Sequence, residues 1–508
     1  MSERMSMDRR GFLGLTAVSA LALAGCGGGH EQPRNGGRLR ALFAGGGAKE
    51  TLDPHAANLF IDQARHKAIF DKLTELGSDL APVPRLAESW EVGEGATVWR
   101  IRLRDAVFHN GKKLSSEDVL YSFARILDPN SAEFTGKSNL STLDLPNCRA
   151  IDPRTVELRL NRPNADLPTN LAALGVVIVP DGFKDPAQPV GTGPFKFGSF
   201  TAGRTFTATR FDQHWEGAPR IDELHILSAD ADARGNALRS GQAEYAHEVN
   251  PTFARTVAAD KSAQIIVTPG CTTQAFALKT DRPPFDNPDV VLAFKLIADR
   301  QRLVDVVLAG KGQVGNDLYG KGYRYYPQDL PQRSRDPEQA RSLLRKAGAL
   351  NTPLTLYTSS ASAGFVEAAT LFAQQCGEAG VKVDVQTGPS ETFWKDQLVK
   401  GEIGSHRSGA MPIPEFLNIR MLTNSPYNIS AWRHADFDAD FAAAQSTVDE
   451  AERAALYQKL QRRVYDKAGL LVWGHPDWLN AATPKLHGIE SAPPNTLNWA
   501  RFDKAWLS

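Results

Sequence analysis

Pro84-Arg85-Leu86-Ala87-Glu88-Ser89-Trp90, Thr97-Val98-Trp99-Arg100-Ile101-Arg102-Leu103, Phe108-His109-Asn110-Gly111-Lys112-Lys113-Leu114 and Glu117-Asp118-Val119-Leu120-Tyr121-Ser122 follow one another within residues 82–129. Residues 97–103 alternate with period two, the pattern of a half-buried strand. Arg100, Arg102 and Arg104 then read as its solvated face. Asn110-Gly111 supplies turn chemistry. Ser115 caps a helix running to about Leu127, with Asp118 three residues on, and Asp128-Pro129 stops it.

Outward from this stretch, residues 155–160 alternate again. Gly191-Thr192-Gly193-Pro194-Phe195 is a tight turn into two strands, near 195–200 and 204–211. A strand is expected over 221–227, and a helix ending near Gly241. After about 275 the pattern becomes helix-rich. Residues 289–309 read as one or two helices. Asp336-Pro337 starts another, ending at Ala347-Gly348. Strand 354–357, helix 363–379 and strand 381–385 form a parallel crossover unit. Residues 437–465 read as helical, and 484–508 as a segment returning to the first half. A two-lobed α/β body follows, with a cleft at the domain interface.

Composition narrows the function classes. The 508 residues suggest about three domains or two large lobes. Hydrophobic residues are 42% and charged residues 23%, which excludes wholesale disorder. Lys+Arg and Asp+Glu are both 58, so no basic footprint for nucleic acid exists. Four cysteines exclude a disulfide-built scaffold. Beyond the N-terminus no apolar run approaches the ~20 residues that span a bilayer, so the chain is not a permease.

Residues 1–25 read as an export signal. Arg9-Arg10 precede Gly11-Phe12-Leu13, and residues 11–25 carry no charge. The twin arginines resemble a Tat signal, with an ordinary Sec signal as the alternative. Leu23-Ala24-Gly25-Cys26 looks like a bacterial lipobox, with Cys26 the lipidated first residue of the mature chain. Residues 26–37, opening Gly27-Gly28-Gly29, are a flexible tether holding a soluble body at the membrane surface. Removal of Arg4, Arg9 and Arg10 with Glu3 and Asp8 leaves 55 basic against 56 acidic residues. Cys148, Cys271 and Cys376 then allow one bridge at most, and spacing names no pair.

Segments 82–129 resemble the signature of bacterial extracellular solute-binding proteins of the family-5 type, the oligopeptide- and dipeptide-binding proteins of ABC importers. Leu52-Asp53-Pro54-His55, Val190-Gly191-Thr192-Gly193-Pro194-Phe195 and Pro283-Pro284-Phe285-Asp286-Asn287 match in the same order. The resemblance implies a two-lobed periplasmic-binding-protein fold of type II, α/β, with an inserted subdomain and a hinge cleft. Lobe I would be 38–60, 185–274 and 485–508, the subdomain 61–184, and lobe II 275–484. Hinge closure on a ligand would be the working motion. Expected partners are a peptide or peptide-like solute and the permease subunits, with the protein monomeric and without a cofactor.

A peptide receptor must pair the terminal ammonium with a carboxylate, since an unpaired buried charge is costly. In the peptide binders this is an Asp. The matching segment here is Arg407-Ser408-Gly409-Ala410-Met411-Pro412-Ile413-Pro414, and the Asp position falls on Ala410. Glu415, Glu402 or Glu248 would have to substitute. With His406 and Arg407 adjacent, an anionic or N-blocked ligand would fit better; the competing reading makes Arg407 a solvated rim residue. Trp394 matches a cleft tryptophan that covers varied ligand side chains, against a core position in a helix 392–400. His475 is a cleft candidate, while Trp473 reads as a buried strand residue. Asn58, Phe60, Glu248, Asn250 and Gln274 are the remaining ligand candidates.

No Gly-x-x-x-x-Gly-Lys-Ser/Thr, His-Glu-x-x-His, Cys-x-x-Cys or Gly-x-Ser-x-Gly motif occurs. His406, His434 and His475 lack metal-ligand spacing. The expected function is therefore a lipid-anchored receptor of an ABC importer, not an enzyme. Uptake of a metal chelate or anionic conjugate is the second reading, and an exported enzyme a distant third.

Overall fold

Strand Val98–Leu103 lies between strands Ala87–Gly93 and Thr155–Arg159, with Arg149–Asp152 at the far edge of this four-stranded antiparallel sheet. Trp99, Ile101 and Leu103 point inward onto helix Ser116–Leu127, where Val119, Phe123 and Ile126 meet them. Arg100 and Arg102 are exposed as the alternation requires. Arg104 departs from it: its guanidinium lies 4.3 Å from the Trp215 ring centroid, so the aromatic ring covers it. The Ser115 backbone N–H donates to Asp118 Oδ2 at 2.8 Å, closing the N-terminal cap. The computed structural model describes residues 32–508 apart from 57, 58, 94, 391 and 426. The export signal over 1–25, the lipidation site Cys26 and Asn58 lie outside the described residues.

Two larger sheets carry the rest. The first has seven strands, in the order Gln264–Thr268, Trp478–Ala482, Tyr245–Ala246, Arg38–Phe43, Glu223–Ser228, Thr205–Arg210 and Phe195–Thr201. The second has six, in the order Gly312–Val314, Leu470–Pro476, Thr273–Leu278, Ile403–Ser408, Leu354–Ser359 and Val383–Gly388. Strands Leu354–Ser359 and Val383–Gly388 pair in parallel across helix Phe365–Glu378. The expected helical stretch at 289–309 is two helices, Pro288–Ile297 and Arg300–Val307.

Successive residues of a strand face opposite sides. In Leu470–Pro476, Leu471 and Trp473 enter one core with Phe276 and Phe372, while Leu470 and Val472 enter another with Phe416 and Tyr457. Both faces are covered, so the strand reads as a continuous apolar run. The first sheet packs Leu39, Phe43, Phe206 and Leu224 against Trp499 and Phe502 of the returning C-terminal segment. Each such buried side chain contributes about 1.5–3 kcal/mol, against about 0–1 kcal/mol for an exposed ion pair. The cores therefore dominate stability.

Two of the quoted motifs have local physical causes. A Cβ on Gly191 would sit 2.0 Å from the carbonyl oxygen of Ile69, and one on Gly193 2.5 Å from the Ile69 carbonyl carbon. Only glycine permits this backbone approach. Asp53, in the opening motif, accepts from Arg125 Nη1 at 3.0 Å and so fastens the motif to helix Ser116–Leu127.

The chain crosses between the two large sheets twice. Residues 269–272 make the first crossing, and Asp477 alone separates strand Leu470–Pro476 from strand Trp478–Ala482. The second crossing was expected near 485 and comes earlier, because Trp478–Ala482 pairs with Gln264–Thr268 in the first sheet. The Gly270 N–H donates to Asp477 Oδ1 at 3.0 Å, tying the two crossings together. Away from this hinge, the bodies meet again where Ala165 N–H donates to Gln445 O at 2.6 Å and Arg324 N–H to Asp79 O at 3.0 Å. Leu76, Leu80 and Ala172 pack there against Tyr323 and Ala410. The thiols of Cys148, Cys271 and Cys376 are all free.

Two outcomes follow. Ala410→Asp places a charge in that apolar contact and lowers stability by about 1–3 kcal/mol, read from urea denaturation at pH 7. The second concerns pH. Burial holds the imidazoles of His55, His109 and His475 down at about 4, and those of His66 and His247 at about 3. In the unfolded chain they protonate near ~6.5. Between these values the unfolded state binds more protons, so stability falls as pH falls. Burial also raises the carboxyls of Asp62, to about 6, and of Asp166, Glu248 and Glu415; these act in the opposite sense and offset part of the imidazole effect. The urea midpoint should therefore drop between pH 7 and 5, each imidazole contributing on the order of 1 kcal/mol.

Candidate functional site

The antiparallel register sets Gln274 directly opposite Arg407, so both side chains leave the same face of the second sheet. Both line a cavity of about 340 Å³ beside the double crossing. Glu248, Asn250 and Trp478 line it from the first sheet and its connections, together with Arg234 of helix Ala231–Arg239. Residues 307–311 and 362–364 complete the wall on the other side.

The polar groups here are unevenly satisfied. Gln274 Nε2 donates to Ala363 O at 2.9 Å, but Gln274 Oε1 is buried without a partner. Trp478 Nε1 is likewise a buried donor without an acceptor. A buried polar atom without a protein partner is commonly met by water, and others of this kind, such as those of His66 and Trp99, lie away from this cavity. The Arg407 guanidinium lies 5.6 Å from the Trp478 ring centroid and 3.9 Å from Glu248 Oε1. Burial pushes the Glu248 carboxyl above its ordinary range, while the nearby Arg407 and Arg234 charges pull it back.

Glu248 has a left-handed backbone, φ 52°. It is held from both ends: its N–H donates to Asn480 Oδ1 at 2.9 Å, and its carbonyl accepts from Arg234 Nη2 at 2.9 Å. Asn250 caps helix Pro251–Asp260, with Oδ1 accepting from Phe253 N–H at 2.7 Å. Phe60 stands behind the wall, its ring centroid 5.2 Å from those of both Trp478 and His247.

The other candidates lie elsewhere. Trp394 is 44% exposed on a π-helical turn, Phe393–Gln397, in place of the expected helix 392–400, and sits edge-on to His406 at 6.3 Å. Ser408 is buried, its Oγ 3.0 Å from His406 Nε2. The Gly409 carbonyl accepts from Tyr319 Oη at 2.8 Å. Ala410 is packed at the Leu76–Tyr323 contact, away from the cavity wall. His475 is 1% exposed, its Nδ1 3.2 Å from Thr273 Oγ1, so it faces the interior and not the cavity. Its strand is covered on both sides, which leaves its ring no route to solvent.

Of the three carboxylates considered, Glu415 is half-buried and bonded by Asn139. Glu402 accepts from Thr355 N–H at 2.9 Å. Only Glu248 lines the 340 Å³ cavity. Trp478 and Arg234 were missed from sequence. The aromatic residue directly after the Asp477 crossing was the available signal for Trp478; Arg234 carried none. A larger cavity of about 540 Å³ lies between Trp90 and Trp99 on one side and Arg324 and Arg453 on the other. Its charges are paired, with Asp166 accepting from Tyr457 and Arg324 beside Glu450, while Trp99 Nε1 there is a buried donor without a partner.

Comparison with known proteins agrees with this architecture. Residues 81–422 match the model of the bacterial extracellular solute-binding proteins, family 5 Middle. The chain is 25% identical over 498 residues to di/tripeptide-binding protein 2 of Pseudomonas aeruginosa, covering 89% of this chain and 93% of that one. It shares its fold with the ABC transporter substrate-binding protein CtaP of Listeria monocytogenes, at a TM-score of 0.82 and 20% identity over 93% of this chain and 100% of that one. DppA of Helicobacter pylori, solved with the peptide STSA, gives 0.75 and 20% over 93% and 98%. The chain thus belongs to the bacterial extracellular solute-binding proteins of family 5.

Proposed function

We propose that this protein is the substrate-binding receptor of an ABC importer, taking a peptide or peptide-like solute into the cleft between its lobes and delivering it to a permease. The observation that carries the reading is the cavity at the double crossing, lined from the two sheets and their connections by Glu248, Asn250, Gln274, Arg407 and Trp478. A hinge of two strands lets the lobes part and close on a solute. The family is one of solute binders, not enzymes, and we read this chain as carrying no chemistry of its own. Glu248, Asn250, Gln274 and Arg407, with Trp478 and Arg234, are the proposed ligand contacts. Residues 61–184 are read as the inserted subdomain. The exported protein would act as a monomer, held to the membrane by acyl chains on Cys26 after removal of residues 1–25.

A second reading, a non-peptide solute such as a metal chelate or anionic conjugate, is favoured by one observation. Ala410 stands where the peptide binders have their ammonium-pairing Asp, and it packs in an apolar contact.

Native mass spectrometry of freshly isolated protein should show a bound small solute. A matching ligand at 100 times its Kd should add about 2.7 kcal/mol to unfolding stability. Peptides that stabilise support the first reading. Stabilisation by nickel–histidine or anionic conjugates alone supports the second. Turnover of an ester panel without any stabilisation would exclude both. Intact-mass analysis of the membrane-extracted protein should give a diacylated Cys26 N-terminus.

A further inference from the structure

We infer that Asp166 is the tongue of a releasable latch: carried on the first-sheet side, its carboxylate seats between Tyr457 and Arg453 of the second-sheet side and biases the two bodies towards closure before any solute arrives. The latch goes beyond the receptor reading and does not depend on the identity of the solute.

The first observation is where the Asp166 side chain goes. Asp166 is the N-cap residue of the short helix Leu167–Asn170. An aspartate there ordinarily turns its carboxylate onto the first N–H groups of its own helix. This one makes no such bond. Its Oδ2 accepts from Tyr457 Oη, 291 residues on, and its Oδ1 lies 3.7 Å from Arg453 Nε. Asp166 is 4% exposed, and its two partners are buried with it. The partners belong to different cores. Val177 and Val179, just downstream of Asp166, pack with Leu39 and Phe43 of the first sheet. Tyr457 packs with Leu470 and Val472 of the second.

The second is that each half stands without the other. On the tongue side, the Asp166 N–H donates to Asn164 Oδ1 at 3.0 Å, and Asn164 Nδ2 donates to Asn170 Oδ1 at 3.0 Å. On the socket side, Arg453 Nη1 donates to Thr447 O at 2.7 Å and to Val448 O at 3.0 Å. Arg453 Nε donates to Tyr325 Oη at 3.1 Å, and the Tyr325 ring stacks on Tyr457 with centroids 4.9 Å apart. The socket keeps its shape when the tongue leaves, so the contact can part and re-form without refolding either side.

The third is energetic balance. Burial pushes the Asp166 carboxyl above its ordinary range, and Tyr457 and Arg453 draw it only part of the way back. A buried ionic contact gains little over water while intact and loses heavily when one partner is removed. The pair therefore selects one geometry without locking it, and parting returns the carboxylate to water. A solute then has to supply only the remainder of the closing bias. Two backbone bonds report whether the bodies are together: Ala165 N–H to Gln445 O beside the tongue, and Arg324 N–H to Asp79 O, which touches neither Asp166 nor Tyr457.

The test is residue-resolved hydrogen exchange on the mature protein, stripped of solute by extensive dialysis, with the Ala165 and Arg324 N–H groups as probes. Both should be protected in the unaltered protein. Tyr457→Phe keeps the ring and strands the buried carboxylate, so both amides should exchange at least about ten-fold faster. Asp166→Ala removes the charge together with its burial cost and should accelerate both by a smaller factor. Amides of strands Val98–Leu103 and Leu470–Pro476, inside the two bodies, should keep their rates. Unprotected probe amides in the unaltered protein, or unchanged rates in both variants, overturn the latch. So does equal loosening of the two internal strands, which makes the pair a structural element of the fold, and so does a larger effect from Asp166→Ala than from Tyr457→Phe. No solute enters the experiment, so its failure leaves the receptor reading intact, and failure of that reading in the solute screens leaves the latch intact.

Discussion

Everything in this molecule is arranged about two passages of chain lying side by side. The first takes four residues, 269–272, and the second takes only Asp477. Asp477 Oδ1 accepts from Gly270 N–H, so the passages move as one. With no third covalent link between the sheets, the relative position of the lobes is set by side-chain contact and by whatever lies between them. The apolar edge formed by Leu76, Leu80, Ala172, Tyr323 and Ala410 is one such contact. The Glu248–Arg407 approach, at 3.9 Å, is another.

Charge is handled differently at the two places. Near Trp90 and Arg453 the interlobe charges are paired: Asp166 meets Tyr457, and Arg453 meets Glu450. A paired network favours one geometry, while the Trp99 Nε1 beside it is a buried donor without a partner. Beside the hinge, Glu248 and Arg407 line the cavity partly exposed to solvent, 3.9 Å apart.

Much of the framework was legible in the chain. Period-two alternation at 97–103 located a strand, and Ser115 with Asp118 located a helix start. Gly191 and Gly193 marked a turn, and the reason is visible only in three dimensions: Ile69, far away in sequence, presses its carbonyl against them. The strand–helix–strand over 354–388 gave a parallel pair because a helix-length crossover permits no other tight arrangement. The site was less legible. The sequence offers His475 as a cleft candidate, yet it is 1% exposed because both faces of its strand are covered. Ala410 was noticed as a missing carboxylate, but its packing partners, Leu76 and Leu80, come from more than 300 residues earlier.

By itself the sequence determined the family, the α/β alternation, the strands and helices of the signature stretch, and the absence of the usual Asp at 410. These depend on local periodicity, turn chemistry and ordered motifs, all of which act over a few residues. The tertiary structure alone decided which carboxylate reaches the cleft, that the second crossing falls at Asp477, and that Trp478 and Arg234 belong to the wall. Those outcomes depend on strand register and on contacts between residues hundreds of positions apart, and no short-range pattern encodes them.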